Sequence, residues 1–216
     1  MNIAEHIENG AKEYPDRPAI VFDGAAITYR ECDAMSSKAA GVFASAGVQT
    51  GDRVALFLPN APQFVFAYFG VLKLGAIAVS MNSTLQRDEA AVLLADCQPK
   101  VVVTTPELET RLPPLGAARV YTTGGNFETA TQQAEGISSA KSMQADDPAV
   151  IVYTSGTAGR QKGATLSHAN VIRNIKAKVH YLGIRPEDRA LLFLPLYHCF
   201  GQNAVLNAFL QAGATV

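Results

Sequence analysis

Short apolar segments alternate with helix-length stretches along most of the 216 residues, and that alternation constrains the fold more than any other feature. Parallel strands cannot be joined by tight turns, because each crossover must travel back along the sheet, and a helix of ten or more residues does this. Ile3, Ile7, Ala11 and Tyr14 recur at helical spacing, and Pro15 ends that helix before a strand from Ala19 to Phe22 and an Asp23-Gly24 hairpin turn. Thr28-Tyr29-Arg30-Glu31 has capping-box spacing and opens an alanine-rich helix that closes near Gly47. A strand from Arg53 to Leu58, an apolar helix from Pro62 to Leu74, a strand from Ala76 to Val79, a helix from Arg87 to Ala95 and a strand from Val101 to Thr104 follow. Residues 122–147 are small and polar without an apolar period and read as a loop or weak linker. Beyond them come a strand from Ala149 to Thr154, a Gly-rich loop, a short strand, a helix from Ala169 to Leu182, a strand from Arg189 to Phe193 and a helix from about Asn203 to Gln211. The fold class is α/β, with mostly parallel sheets flanked by helices. Residues Ala212 to Val216 read as a helix cap running into a strand, which predicts a longer polypeptide.

Bulk charge narrows the partners. With 18 basic and 19 acidic residues the net charge is -1, which gives no overall attraction to nucleic acid or to an anionic membrane, so any anion site must be local. Cys32, Cys97 and Cys199 are too dispersed for a metal cluster or a disulfide framework, which fits a reduced, cytoplasmic setting. The first residues lack the basic and apolar regions of a signal peptide, and no uncharged apolar run reaches the ~18 residues of a membrane span. Peripheral contact with a membrane surface stays open.

The local anion site is legible. Tyr153 leads into Thr154-Ser155-Gly156-Thr157-Ala158-Gly159-Arg160-Gln161-Lys162-Gly163. Glycines let backbone N–H groups turn towards a ligand, the hydroxyls of Thr154, Ser155 and Thr157 donate to phosphate oxygens, and Lys162 adds a mobile positive charge. Hydrogen bonds to ionised groups contribute roughly 1.5–3 kcal/mol each, so two or three hold a polyphosphate. From Pro148 to Pro186 there are six basic residues and no acidic one, leaving 12 basic against 19 acidic elsewhere. The plainer reading of Arg173, Lys176 and Lys178 is a solvated helix face, and it carries equal weight for those three. A Walker loop requires Gly where Gln161 stands, and neither a G-x-G-x-x-G nor a G-x-S-x-G pattern is present. A linker of small residues is the bland alternative, but linkers seldom sit between apolar strands and end in a lysine.

The loop resembles the T-S-G-T-T-G-x-P-K-G signature of the adenylate-forming superfamily of acyl-CoA synthetases, luciferases and peptide-synthetase adenylation domains. Thr154, Ser155, Gly156, Thr157, Gly159, Lys162 and Gly163 match it, while Ala158 replaces a threonine and Gln161 the proline. Gly163 to Asn170 and the preceding apolar strand resemble the family as well. Leu194-Pro195-Leu196-Tyr197-His198-Cys199-Phe200-Gly201 resembles the L-P-[LM]-[FY]-H-x-x-G segment of fatty and aryl acyl-CoA ligases. Without the resemblance, a Tyr-His pair in an apolar loop is more often core than catalytic. His168, at a helix start, reads as structural.

The resemblance implies that residues 1–216 form the N-terminal portion of an AMP-binding domain, with the rest of that domain and a C-terminal lid domain lying beyond Val216. It implies that Thr154, Ser155, Gly156, Thr157, Gly159, Lys162 and Gly163 hold the phosphates of ATP, that Thr157 lies nearest Mg²⁺, and that Tyr197 and His198 position the acid. Thr157, Lys162 and His198 are the catalytic candidates. The implied reaction joins a carboxylic acid to AMP with release of pyrophosphate and then transfers the acyl group to CoA; the apolar neighbours Phe193, Leu194, Leu196 and Phe200 suggest a fatty acid, and an aryl acid stays open. A carrier-protein arm as acceptor, and a nucleotide-binding module without chemistry, are the alternatives. The 216 residues alone are expected to be inactive or nearly so.

Overall fold

The computed structural model describes residues 1–154 and 161–216. Helix α1 (Glu5–Glu13) precedes a hairpin of β1 (Pro18–Phe22) and β2 (Ala25–Thr28). Asp23 and Gly24 both take positive φ, 49° and 80°, which is the geometry a two-residue hairpin turn requires. Thr28 then caps α2 (Tyr29–Ser45): its hydroxyl accepts from the Glu31 amide while the Glu31 carboxylate accepts from the Thr28 amide. That capping box, read from four residues, is present as expected. Gly47, at φ 84°, ends the helix.

The main sheet has six strands in the order β6-β5-β3-β4-β7-β8. They are β3 (Arg53–Phe57), β4 (Ile77–Ser80), β5 (Val101–Thr104), β6 (Arg119–Thr122), β7 (Pro148–Thr154) and β8 (Lys162–Ser167). All neighbours run parallel except β8, which is antiparallel to β7. Strand alternation sorts the residues into two cores. Val54, Leu56, Ala78, Val101, Val103, Val150 and Val152 face α1, α2, α3 (Pro62–Lys73) and α7 (His168–Leu182), whereas Ala55, Phe57, Val79 and Val102 face α4 (Arg87–Cys97).

Helix α3 is buried from Phe64 to Lys73 because it lies between the sheet and α2. Gly70 lets α2 come close: a Cβ there would lie 2.9 Å from both the Ala39 Cβ and the Ala40 amide nitrogen. Lys73 ends α3 fully buried, with Nζ 2.5 Å from a Glu8 carboxylate oxygen and 2.8 Å from one of Asp33, so one ammonium ties α1, α2 and α3 together. Glu8 also accepts from the Ala140 amide, and Asn2 donates to the carbonyls of Leu72 and Lys141.

Three expectations are corrected. Residues 122–147 are not only loop: they contain α6 (Asn126–Gln133), whose Phe127 is buried against Phe43. Just two buried residues, Phe127 and Thr131, anchor that helix, too few to show a period. The preceding segment also carries β6 and a short helix, α5 (Pro106–Glu109), that the apolar pattern did not mark. The strand expected from Arg189 to Phe193 is a single parallel bridge between Arg189 and Thr215, after which Leu191 and Phe193 are exposed. Its later carbonyls bond to a side chain, Asn60, instead of a partner strand. Finally, the helix expected from about Asn203 begins earlier, as a π-wound turn over Phe200–Asn207 continuing into α8 (Ala208–Gln211).

Candidate functional site

Strands β4 and β7 lie side by side, with Ser80 opposite Val152. The chain leaving β4 crosses towards β5 on one side, and the chain leaving β7 returns as β8 on the other. Adjacent strands whose connections diverge leave a crevice at their carboxyl ends, where open α/β sheets bind ligands. Here that crevice has a volume of ≈ 340 Å³ and is lined by Ser80, Asn82, Tyr153, Thr154, Gln161, Tyr197 and His198.

The sequence-derived candidates divide into three groups. Thr154 and Lys162 face each other as the last antiparallel pair of β7 and β8, so both stand at the root of the Gly-rich loop, and both are exposed. Ser155, Gly156, Thr157 and Gly159 lie outside the described residues. Gly163 pairs with Tyr153, and a Cβ on it would sit 3.0 Å from the Ile151 Cγ2 and 3.2 Å from the Tyr153 ring, so the missing side chain makes room for that ring at the base of the loop. The Tyr153 hydroxyl donates to the Asp96 carboxylate, which fastens β7 to α4. Burial and then that carboxylate push the phenol well above its ordinary range, keeping it a donor. Among the described residues Lys162 forms no salt bridge.

Tyr197 and His198 reach the same crevice from the far end of the chain. The His198 amide bonds to the Pro195 carbonyl, and its carbonyl accepts from Gln202 as the π-wound helix begins. Its ring Nδ1 accepts from the Phe200 amide at 3.1 Å. An Nδ1 that accepts leaves the proton on Nε2, so the ring keeps a donor for an anionic ligand, a tautomer assigned from the bonding pattern. Gly201 is required here, because a Cβ would meet the Pro195 carbonyl oxygen.

Sequence reasoning missed the buried polar contacts of the π-wound helix, one of which reaches Ser80 in the crevice lining. Ser80 accepts from buried Gln202 at 2.8 Å, and Asn207 donates to the Tyr68 hydroxyl at 2.9 Å. Their only signal was polarity inside otherwise apolar segments. On the other side of His198 and Cys199 lies a second cavity, also ≈ 340 Å³, between α7 and the π-wound helix and lined by Leu166, Val171, Phe200 and Ala204 among others. Of the basic residues on α7, Arg173 and Lys176 are exposed, as a solvated face requires, and the Lys178 ammonium sits 5.3 Å over the Phe200 ring. His168 is buried and its Nδ1 accepts from the Ile3 amide, which is the structural role read for it. Among the described residues no group of three or more His, Cys, Asp or Glu side chains is placed to hold a metal ion. Among them, too, no helix is long and apolar enough to cross a membrane.

The family model described as AMP-binding enzyme matches residues 7–216. The long-chain-fatty-acid–CoA ligase FadD13 of Mycobacterium tuberculosis is 30% identical over 83% of this chain and 37% of its own length. A feruloyl-CoA synthase of an Amycolatopsis species is 31% identical, with coverage of 95% and 41%. The ATP-bound structure of MatB from Rhodopseudomonas palustris superposes with a TM-score of 0.88 at 30% identity, covering all of this chain and 44% of that one. The chain thus spans under half the length of these relatives.

Proposed function

Because the chain belongs to the AMP-binding enzyme family, we propose that it forms the phosphate-gripping and acid-positioning part of an enzyme that activates a carboxylic acid with ATP and passes the acyl group to CoA. One observation carries this reading: Thr154 at the root of the Gly-rich loop and the Tyr197-His198 turn, distant in sequence, line a single crevice at the carboxyl ends of β4 and β7.

In this reading the acid's carboxylate oxygen attacks the α-phosphorus of ATP, the bond to the β-phosphate breaks, and pyrophosphate leaves. Two anions approach only where positive charge and donors offset their repulsion and hold them in line. Thr154, Ser155, Gly156, Thr157, Gly159, Lys162 and Gly163 hold the departing pyrophosphate. The Nε2–H of His198 and the Tyr197 side chain orient the carboxylate. The Thr157 hydroxyl would hold a Mg²⁺ ion accompanying the triphosphate, and that ion would supply positive charge against the phosphate oxygens. The CoA thiol sulfur then attacks the acyl carbonyl, and AMP leaves.

Within the acids, a fatty acid fits best. The cavity behind His198 exposes mostly apolar surface, although Asn170, Asn174, Lys178 and Asn203 also line it, and it has room for an alkyl tail. Incubating the full-length protein with Mg-ATP, CoA and a panel of straight-chain, aryl and short polar acids, and measuring AMP release, tests both levels. Straight-chain acids are expected to be the best substrates. Aryl acids outpacing them would overturn the narrower reading, and no AMP with any acid would overturn the whole. The 216 residues alone are expected to show little or no release.

A further inference from the structure

One side chain outside the crevice holds the turn that presents Tyr197 and His198. Asn60 lies just beyond β3, two residues before Pro62 opens α3. Its Oδ1 accepts from the Leu196 amide at 2.8 Å, and its Nδ2 donates to the Leu194 carbonyl at 2.9 Å and, more loosely, to the Leu192 carbonyl at 3.5 Å. Only this orientation of the amide group gives all three backbone groups a complementary partner. Pro195, between the two tighter contacts, has no N–H of its own with which to close the turn. The other side of the turn is pressed by Gly201, where the Pro195 carbonyl occupies the space a side chain would need. The main chain at 194–196 is therefore fixed from two sides immediately before the residues that line the crevice. Asn60 itself lines a different groove, with Phe22, Val65 and Leu191, so it reaches the crevice only through the turn.

We propose that Asn60 is a positioning residue for the acid substrate, setting the placement of Tyr197 and His198 through the backbone of residues 194–196. The inference rests on the reading that the crevice takes a carboxylic acid. It predicts selectivity: loss of Asn60 weakens use of the acid and leaves the nucleotide side, built on β7 and β8, largely as it was.

The test is acid-dependent exchange of labelled pyrophosphate into ATP by the full-length protein, comparing wild type, Asn60→Ala, His198→Ala and the double variant. Losing two hydrogen bonds of ordinary strength is expected to raise the KM for the acid about tenfold in Asn60→Ala, with the KM for ATP changed less than about twofold. If Asn60 acts through His198, the same substitution in the His198→Ala background adds less than about threefold. Asn60→Asp, nearly the same shape, keeps the acceptor for Leu196 but turns a carboxylate oxygen against the Leu194 carbonyl, and is expected to raise the KM for the acid at least as far as Asn60→Ala. Should Asn60→Ala fail to fold, the Asp variant in both backgrounds decides the matter. An Asn60 variant that raises both KM values alike, or that costs as much without His198 as with it, overturns the inference while leaving the proposed function standing. Wild-type protein that shows no acid-dependent exchange sinks both.

Discussion

At His198 a single contact sets the tautomer: because Nδ1 accepts from the Phe200 amide, Nε2 is left as the donor. Two other histidines show how burial sets a proton's fate. His6 and His168 are buried, and burial, aided at His6 by the nearby Lys176 charge, lowers each to about 4. The unfolded chain, whose histidines titrate near 6.5, therefore binds more protons than the native state as pH falls from ~6.5 towards ~4. Stability from these two rings is fully present above that window and is lost within it, on the order of 2–3 kcal/mol for each ring near pH 4. Urea unfolding of the full-length protein at several pH values is expected to show that loss, with a shallower slope in His168→Gln. An unchanged slope in the variant would contradict it. Local pairs at this scale were legible, as Thr28 and Glu31 show. Asn60 was not, because its partners lie more than 130 residues away and nothing in the order of the chain brings them together.

Among the elements, the α2–α3 contact depends on Gly70. Thr28, which caps α2, announces itself by its spacing from Glu31, but a glycine chosen for the approach of a neighbouring helix looks like any other. Gly70→Ala is expected to cost about 1–3 kcal/mol, because the new methyl group meets main-chain atoms that cannot easily retreat. Chemical denaturation checks this, and a change within about 0.5 kcal/mol would contradict it. Thr28→Ala, which removes the α2 cap, is expected to cost ~1 kcal/mol in the same measurement. Most strands and helices were legible because their periods are strong. Helix α6 was hidden by having two buried anchors, and the segment after Arg189 was mistaken for a strand because its apolar run mimics one while Leu191 and Phe193 face outwards.

The whole molecule is ordered by contacts that no periodicity encodes. Parallel α/β architecture followed from the alternation, yet the strand order β6-β5-β3-β4-β7-β8 did not, and that order is what places Thr154 and Gln161 beside the Tyr197-His198 turn. Lys73 is the buried charge that binds three helices into one unit. Lys73→Met would leave two largely buried carboxylates without their cation and is expected to cost about 3–5 kcal/mol, read as a lowered denaturation midpoint. An unchanged midpoint would contradict that role. The two motifs stand out in the sequence, but that Thr154 lines one crevice with Tyr197 and His198 could not be read from it. The loop after Tyr153 is central to the account, and labelled pyrophosphate exchange with Lys162→Ala tests it most directly. Full-length wild-type protein is expected to exchange only when a carboxylic acid is present, and Lys162→Ala to exchange on the order of a hundredfold more slowly. Lys162→Ala exchanging at the wild-type rate would contradict the assignment.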